Sequence, residues 1–332
     1  MQSSSRLFPV QLVSAELIGA FVEDIYLLKP NNSPDRSVEL AVTRLSKNND
    51  HHGEPVILLH GSFSNRRHWL SAEGLGIAAY LVDAGYDVWL PEMRGHGLSP
   101  ANNDFAKNSL DKIIKYDLPA IHKFVVEQTG KDIAWIGEEL GGFLIMSALA
   151  LGAIDQKTVS NCVYLEEAKP LLPRLNNSKI YSKKALWRWK KPGVINGRSL
   201  KLGSENESYP IVKEFLRWQS SLNYSSPAGL SLDDAFKNIT APTMVVAINT
   251  PIYSAARNPQ WIHNQLLSAP KILKEYDYSL PRHKNIYAEG GGTLSELASG
   301  CWRDIVYWLE KEYDCLGPVE CEVEYRATDH VA

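Results

Sequence analysis

Apolar residues in this chain come in short blocks of two kinds. Between residues 8 and 46, FPVQLVSAEL and RSVELAVTRLS mix β-branched and polar residues in alternation. That pattern suits antiparallel edge strands with one face in water. Beyond a polar turn at 47–53 the blocks become nearly unbroken: PVILL, YDVWL, IAWI, CVYLE and APTMVVAI, followed by the more mixed KILKEYDY. Runs of about five such residues fit strands buried on both faces of a parallel sheet. Helical spacing occupies the intervals. A helix is expected over 66–84, closed by Gly85. Another spans 109–128, where Leu110, Ile113, Ile114, Leu118, Ile121 and Val125 share a face and Asp117-Leu118-Pro119 marks a kink or junction. Further helices are expected at 143–151, 211–219, 255–267 and 299–310. Alternating strands and helices predict an α/β fold, a mostly parallel sheet with helices on both faces. The rhythm breaks over 168–240, so that stretch reads as an insertion, with 1–167 and 241–332 forming the core. An insertion there lies over the carboxyl edge of the sheet, where ligand crevices open.

The stretch that organises the chemistry is KDIAWIGEELGGFLIMSALA, residues 131–150. It runs from a buried strand through Gly137-Glu138-Glu139-Leu140-Gly141-Gly142 into a run of helix formers. Strand, tight turn and helix make the context of a nucleophile elbow, where a serine stands at the centre of G-x-S-x-G. The central residue of such a turn is strained, and its neighbours two before and two after must lack a Cβ. Gly137 and Gly141 fill both places, and the central residue is Glu139.

Composition narrows the setting. The chain has 332 residues, 44% hydrophobic and 22% charged, enough for a large core, and a net charge of −3 that gives no sign of nucleic-acid binding. Four cysteines lack metal-site spacing; Cys162 and Cys301 fall in apolar stretches and read as buried thiols, and a Cys315–Cys321 bridge is left open. The N-terminal stretch carries Glu16, Glu23 and Asp24 and fits neither a signal peptide nor a membrane span, so a cytoplasmic location is expected. No cofactor or metal is expected.

Four segments, in order, resemble the α/β-hydrolase superfamily over about residues 36–312. They are PVILLHGSFSNRRHW, AGYDVWLPEMRGHGLS, YDLPAIHKFVVEQTGKD and the elbow itself. The likeness is greatest to acid-lipase and polyhydroxyalkanoate-synthase-like bacterial hydrolases. It implies the α/β-hydrolase fold, with a lid insertion after the strand that follows the elbow. It places the oxyanion-hole amides at Ser62 and Leu140, and the base at His283 of PRHKN in preference to His263 or His330. The acid expected after APTMVVAI is missing, since the chain reads Ile248-Asn249-Thr250-Pro251; Glu166, or its neighbour Glu167, offers an alternative position. His60, Arg94 and His96 read as loop architecture, and Glu138 as exposed or paired with a lid cation.

Glutamate is ionised near pH 7 and would form an anhydride if it attacked an ester, so conventional Ser-His-Asp catalysis is not expected. The reading is a hydrolase homologue with a degenerate triad, whose lidded pocket binds a small hydrophobic or acyl ligand. The alternative is an active hydrolase using Glu139 and His283 on an ester, lactone, epoxide or alkyl halide. Haloalkane dehalogenases and epoxide hydrolases use an aspartate at the elbow; a glutamate overshoots by a bond length, and misplacement of about 1 Å can cost roughly 100-fold. Tyr181, Tyr209 and Tyr224 are candidate lid tyrosines. KKALWRWKK (183–191) could face a membrane, but reads more simply as a lid segment with tryptophans inward and lysines in water.

Overall fold

The computed structural model describes residues 5–47, 52–167, 188–220, 231–248, 259–277 and 298–310. Among these residues nine strands form one sheet in the order β1-β2-β3-β5-β4-β6-β7-β10-β11. The alternating N-terminal segment gives β1 (Val10–Ile18), β2 (Phe21–Leu28) and β3 (Leu40–Ser46), all antiparallel. Gly19, with φ 57°, turns the β1–β2 hairpin. The apolar blocks give β4 (Pro55–Leu59), β5 (Asp87–Pro91), β6 (Ile133–Glu138), β7 (Val159–Glu167), β10 (Thr243–Ile248) and β11 (Lys271–Tyr276), mutually parallel. A separate antiparallel pair, β8 (Val194–Asn196) and β9 (Asn206–Ser208), lies within the 168–240 stretch.

Helices cover both faces. The longer ones among the described residues are α1 (Ile77–Asp83), α2 (Leu118–Thr129), α3 (Leu140–Ala150), α4 (Tyr209–Ser220), α5 (Pro259–Gln265) and α6 (Arg303–Glu310). The pleat of β4 shows how the core divides. Ile57 and Leu59 point to one side with Trp89, Trp135, Phe124 and Leu144; Val56 and Leu58 point to the other with Leu81, Ile305 and Trp308. This is the α/β-hydrolase fold, a mostly parallel sheet between two helical layers.

Two expected helices differ from their sequence pattern. The 66–84 stretch holds one 3₁₀ turn (Arg66–His68) and only later α1, because Gly74 (φ 77°) and Gly76 (φ 132°) turn the chain in between. Over 109–128 the helix continues through Pro119 without breaking. A π turn at Ile113–Asp117 absorbs the hydrogen bond that the proline cannot donate. Buried Asp117 in that turn receives a bidentate contact from Arg94, with Nε 2.7 Å from Oδ2.

Candidate functional site

Chain topology places the site. From β4 the chain crosses to β5 on one side, then returns to β6 on the other, so a crevice opens between the carboxyl ends of β4 and β6. The loop after β4 and the turn after β6 meet there.

Glu139 caps α3 with φ 49° and ψ −111°, the strained conformation that the glycine spacing implied. The glycines are required by proximity. A Cβ on Gly137 would stand 2.6 Å from the Gly142 nitrogen, and one on Gly141 would stand 2.3 Å from the Leu59 carbonyl oxygen. The backbone of Glu139 is fastened to β7, its N–H donating to the Leu165 carbonyl at 2.9 Å.

The Glu139 carboxylate is buried and turns toward the β4 loop. Its Oε2 accepts the Ser62 N–H at 2.8 Å. Burial pushes its pKa up; the Ser62 amide and hydroxyl and the Leu140 amide work against that by favouring the anion, while the charge of Glu207 adds to the rise. Burial thus sets this carboxyl group apart from an exposed glutamate, and nearby dipoles are what favour its charged form. Gly61 makes the approach possible, since a Cβ there would lie 2.1 Å from Glu138 Oε2 and 2.9 Å from Glu139 Oε2.

Behind this loop two histidines stack, with ring centroids 5.3 Å apart. Fully buried His60 has its Nδ1 2.9 Å from the Gly61 carbonyl, while its Nε2 accepts the Met93 N–H at 3.2 Å. It is the neutral tautomer, and burial holds its pKa well below the ordinary value. His96 differs: Nδ1 is 2.9 Å from the Ser64 carbonyl and Nε2 is 2.9 Å from Glu207 Oε1. Two acceptors require two protons. Although burial opposes the charge, Glu207 raises the His96 pKa and the ring is a cation. Both ring and carboxylate are about 1% exposed, which makes this a desolvated pair, and among the described residues the second Glu207 oxygen has no hydrogen-bond partner.

Glu207 lies on β9, so His96 does more than shape its own loop: it fastens part of the 168–240 stretch to the sheet. The same stretch adds Ile195, Val212 and Leu216 around Phe63, with Trp189 and Tyr209 partly buried against them. It also donates the Glu205 N–H to the Phe63 carbonyl at 2.9 Å. Nothing in the sequence spacing singles out Glu207, which is 111 residues from its partner.

The remaining candidates separate. Glu138 is largely buried, where an exposed position was one expectation, with its Oε2 3.7 Å from His68 Nε2. Glu166 accepts the Tyr164 hydroxyl at 2.7 Å. His263 sits buried in α5. His283, His330, Tyr181, Tyr224, Cys315, Cys321 and 249–251 lie outside the described residues; Glu167 is described only as the last residue of β7. Cys162 and Cys301 are buried thiols, burial pushing Cys162 up to about 12. Among the described residues no group of three or more His, Cys, Asp or Glu could hold a metal ion, and no helix is long and apolar enough to cross a membrane.

Residues 56–292 match the sequence profile of the "Alpha/beta hydrolase family". This chain is an alpha/beta hydrolase family member. It is similar to lipases: 35% identical to human gastric triacylglycerol lipase over 139 residues, which are 38% of this chain and 33% of that protein. It is 32% identical to the tear acid lipase-like protein of Mesocricetus auratus over 164 residues, 46% of this chain and 39% of that one. A probable lipase of Schizosaccharomyces pombe is 29% identical over 248 residues, 68% of this chain and 50% of that one. The chain thus spans at most half the length of these relatives. Among solved structures, acetyl xylan esterase 1 from Thermoanaerobacterium superposes with TM-score 0.52 at 15% identity, covering 94% of this chain and 90% of that one. An esterase of Pyrococcus furiosus gives 0.51 at 15% identity, covering 89% and 98%. These structures share the fold of this alpha/beta hydrolase.

Proposed function

We propose that this alpha/beta hydrolase is not a serine esterase, and that it binds a small hydrophobic or acyl ligand under a lid formed by 168–240 on a core of 1–167 and 241–332. One observation carries the reading: the Ser62 N–H, which would face the oxyanion of an acyl-transfer intermediate, is spent on the Glu139 carboxylate at 2.8 Å. An oxyanion hole works because its donors wait for charge that develops in the transition state. Here the resident Glu139 carboxyl group already occupies the Ser62 donor. In this reading Glu139 stands where relatives carry the nucleophilic serine, the triad acid is missing, and His283 is the remaining member. Loss of the nucleophile alone costs a serine hydrolase about 10⁶ in kcat.

The test is hydrolysis of p-nitrophenyl acetate, butyrate and octanoate, together with saturable displacement of a fluorescent acyl probe. Binding is expected without turnover above that of Glu139→Gln. Ester turnover abolished by Glu139→Gln would overturn the reading.

A second reading draws on the raised Glu139 pKa, which suits a general acid or base. In it, Glu139 and His283 act on an ester, lactone, epoxide or alkyl halide. A covalent adduct on Glu139, seen by mass spectrometry after exposure to an epoxide or alkyl halide, would favour it; an unmodified protein would dismiss its nucleophilic form.

A further inference from the structure

We infer that Glu139 is a built-in competitor for a carboxylate site: its side chain fills a preformed anion cradle, so the wild-type pocket takes uncharged acyl ligands, and a vacated cradle accepts a short carboxylic acid anion. This rests on the reading of Ser62 and Leu140 as paired anion-hole donors.

The cradle belongs to the backbone and does not depend on the Glu139 side chain. Gly141 is packed against the Leu59 and His60 carbonyl oxygens, which fixes the first turn of α3 against the end of β4. On the other side, His60 bridges the Gly61 carbonyl and the Met93 N–H through its two ring nitrogens. That bridge positions the residue immediately before Ser62. Phe63, immediately after, is buried and receives Glu205 on its carbonyl. The Ser62 N–H is held from both sides, so removing the Glu139 carboxylate leaves a directed donor in place.

The chemistry of the occupant is also specified. The carboxylate accepts the Ser62 N–H at 2.8 Å, dipoles of Ser62 and Leu140 favour its charged form, and the charge of Glu207 opposes it. A site built from a few dipoles beside a buried carboxylate suits one delocalised negative charge that can take up a proton, and rejects a doubly charged phosphate or sulfate. The tether explains why the wild-type chain resists outside acids. An intramolecular group competes at an effective concentration of about millimolar or higher, with no translational cost. A free fatty acid would have to displace Glu139, whereas an ester or alcohol need not use the amide pair.

Glu139→Gly and Glu139→Ala separate this from a purely structural role. Glycine removes the equivalent of propionate and relaxes at φ 49°; alanine leaves room for acetate. The full chain is titrated with propionate, acetate, sulfate and phosphate at constant pH and ionic strength, reading thermal midpoint and the ¹H–¹⁵N signals of Ser62 and Leu140. Propionate should raise the midpoint of Glu139→Gly saturably and move both amide signals, about tenfold or more tightly than in wild type. Acetate should do the same for Glu139→Ala, sulfate and phosphate should do neither, and Glu139→Gln should stay silent. Equal responses in wild type and the variants, unmoved amides in a folded variant, or equal binding of sulfate would overturn the inference. Esterase turnover by the wild-type chain would sink the binding-protein reading while leaving this titration interpretable.

Discussion

A glutamate at φ 49° whose carboxylate accepts the Ser62 N–H from the loop after β4 is hemmed in by sterics at every step. Gly141→Ala is the sharpest probe. Its Cβ would meet two backbone oxygens, at 2.3 and 2.5 Å, neither of which can rotate away. A loss of about 1–3 kcal/mol or more in urea unfolding is expected, with the Ser62 amide signal displaced; wild-type stability would show that the turn can give. The His96–Glu207 pair makes a second case. Removing one partner leaves a buried charge alone, so Glu207→Leu should cost about 3–5 kcal/mol. Adding His96→Phe should recover much of that loss, because the second charge goes too. Additive losses in the double-mutant cycle would mean that the pair contributes no coupling. At this scale the sequence was legible where spacing carries the constraint. Gly137, Glu139 and Gly141 could be placed from their intervals alone. The destination of the Glu139 side chain could not, because it depends on a loop that leaves a neighbouring strand 77 residues earlier.

Elements introduce a pH dependence. Glu214 on α4 accepts the Leu110 N–H at 3.2 Å, and its pKa is raised from 4.5 to about 7, chiefly by burial and also by Asp111, with Lys213 and Arg217 opposing. Asp111 is itself raised by burial, against the pull of Lys115. An acid with a raised folded-state pKa favours the fold fully below its unfolded value and loses that contribution as pH climbs through the folded one. Relative to Glu214→Gln, the wild-type chain should therefore lose urea resistance from roughly pH 4.5 upward and level off above roughly pH 8. Parallel profiles for the two proteins would count against a neutral Glu214. The docking of α4 on the 105–112 segment should loosen over the same range. Element boundaries followed the same logic of legibility. β4, β5, β6 and β10 were readable as apolar blocks because burial on both faces leaves no alternation to disguise them. The 66–84 helix was overextended because Gly74 and Gly76 interrupt a sequence whose apolar spacing otherwise continues. At Asp117-Leu118-Pro119, where a kink or junction was expected, the helix continues through a π turn, and the Arg94 contact on Asp117 there lies outside any local pattern.

Across the whole molecule, stability should be graded from the centre of the sheet outward. β4 and β6 are buried between parallel neighbours on both sides, whereas β1 is an edge strand with Val13 at 44% and Leu17 at 81% exposure. Hydrogen exchange should therefore be slowest in β4 and β6, and in α3, whose ten consecutive residues Leu140 to Leu149 are all buried, and fastest along β1 and β11. Uniform protection across the sheet would contradict that gradient. The sequence by itself determined the alternation of strands and helices, the two-sided burial of the central strands and the glycine frame of the turn after β6, because each is fixed by local spacing. Only the tertiary structure decided that Glu139 reaches the Ser62 amide, that His96 carries a charge beside Glu207, and that residues 188–220 close over Phe63. Those contacts join segments far apart in the chain, and their energies come from burial and hydrogen-bond geometry that no local pattern encodes.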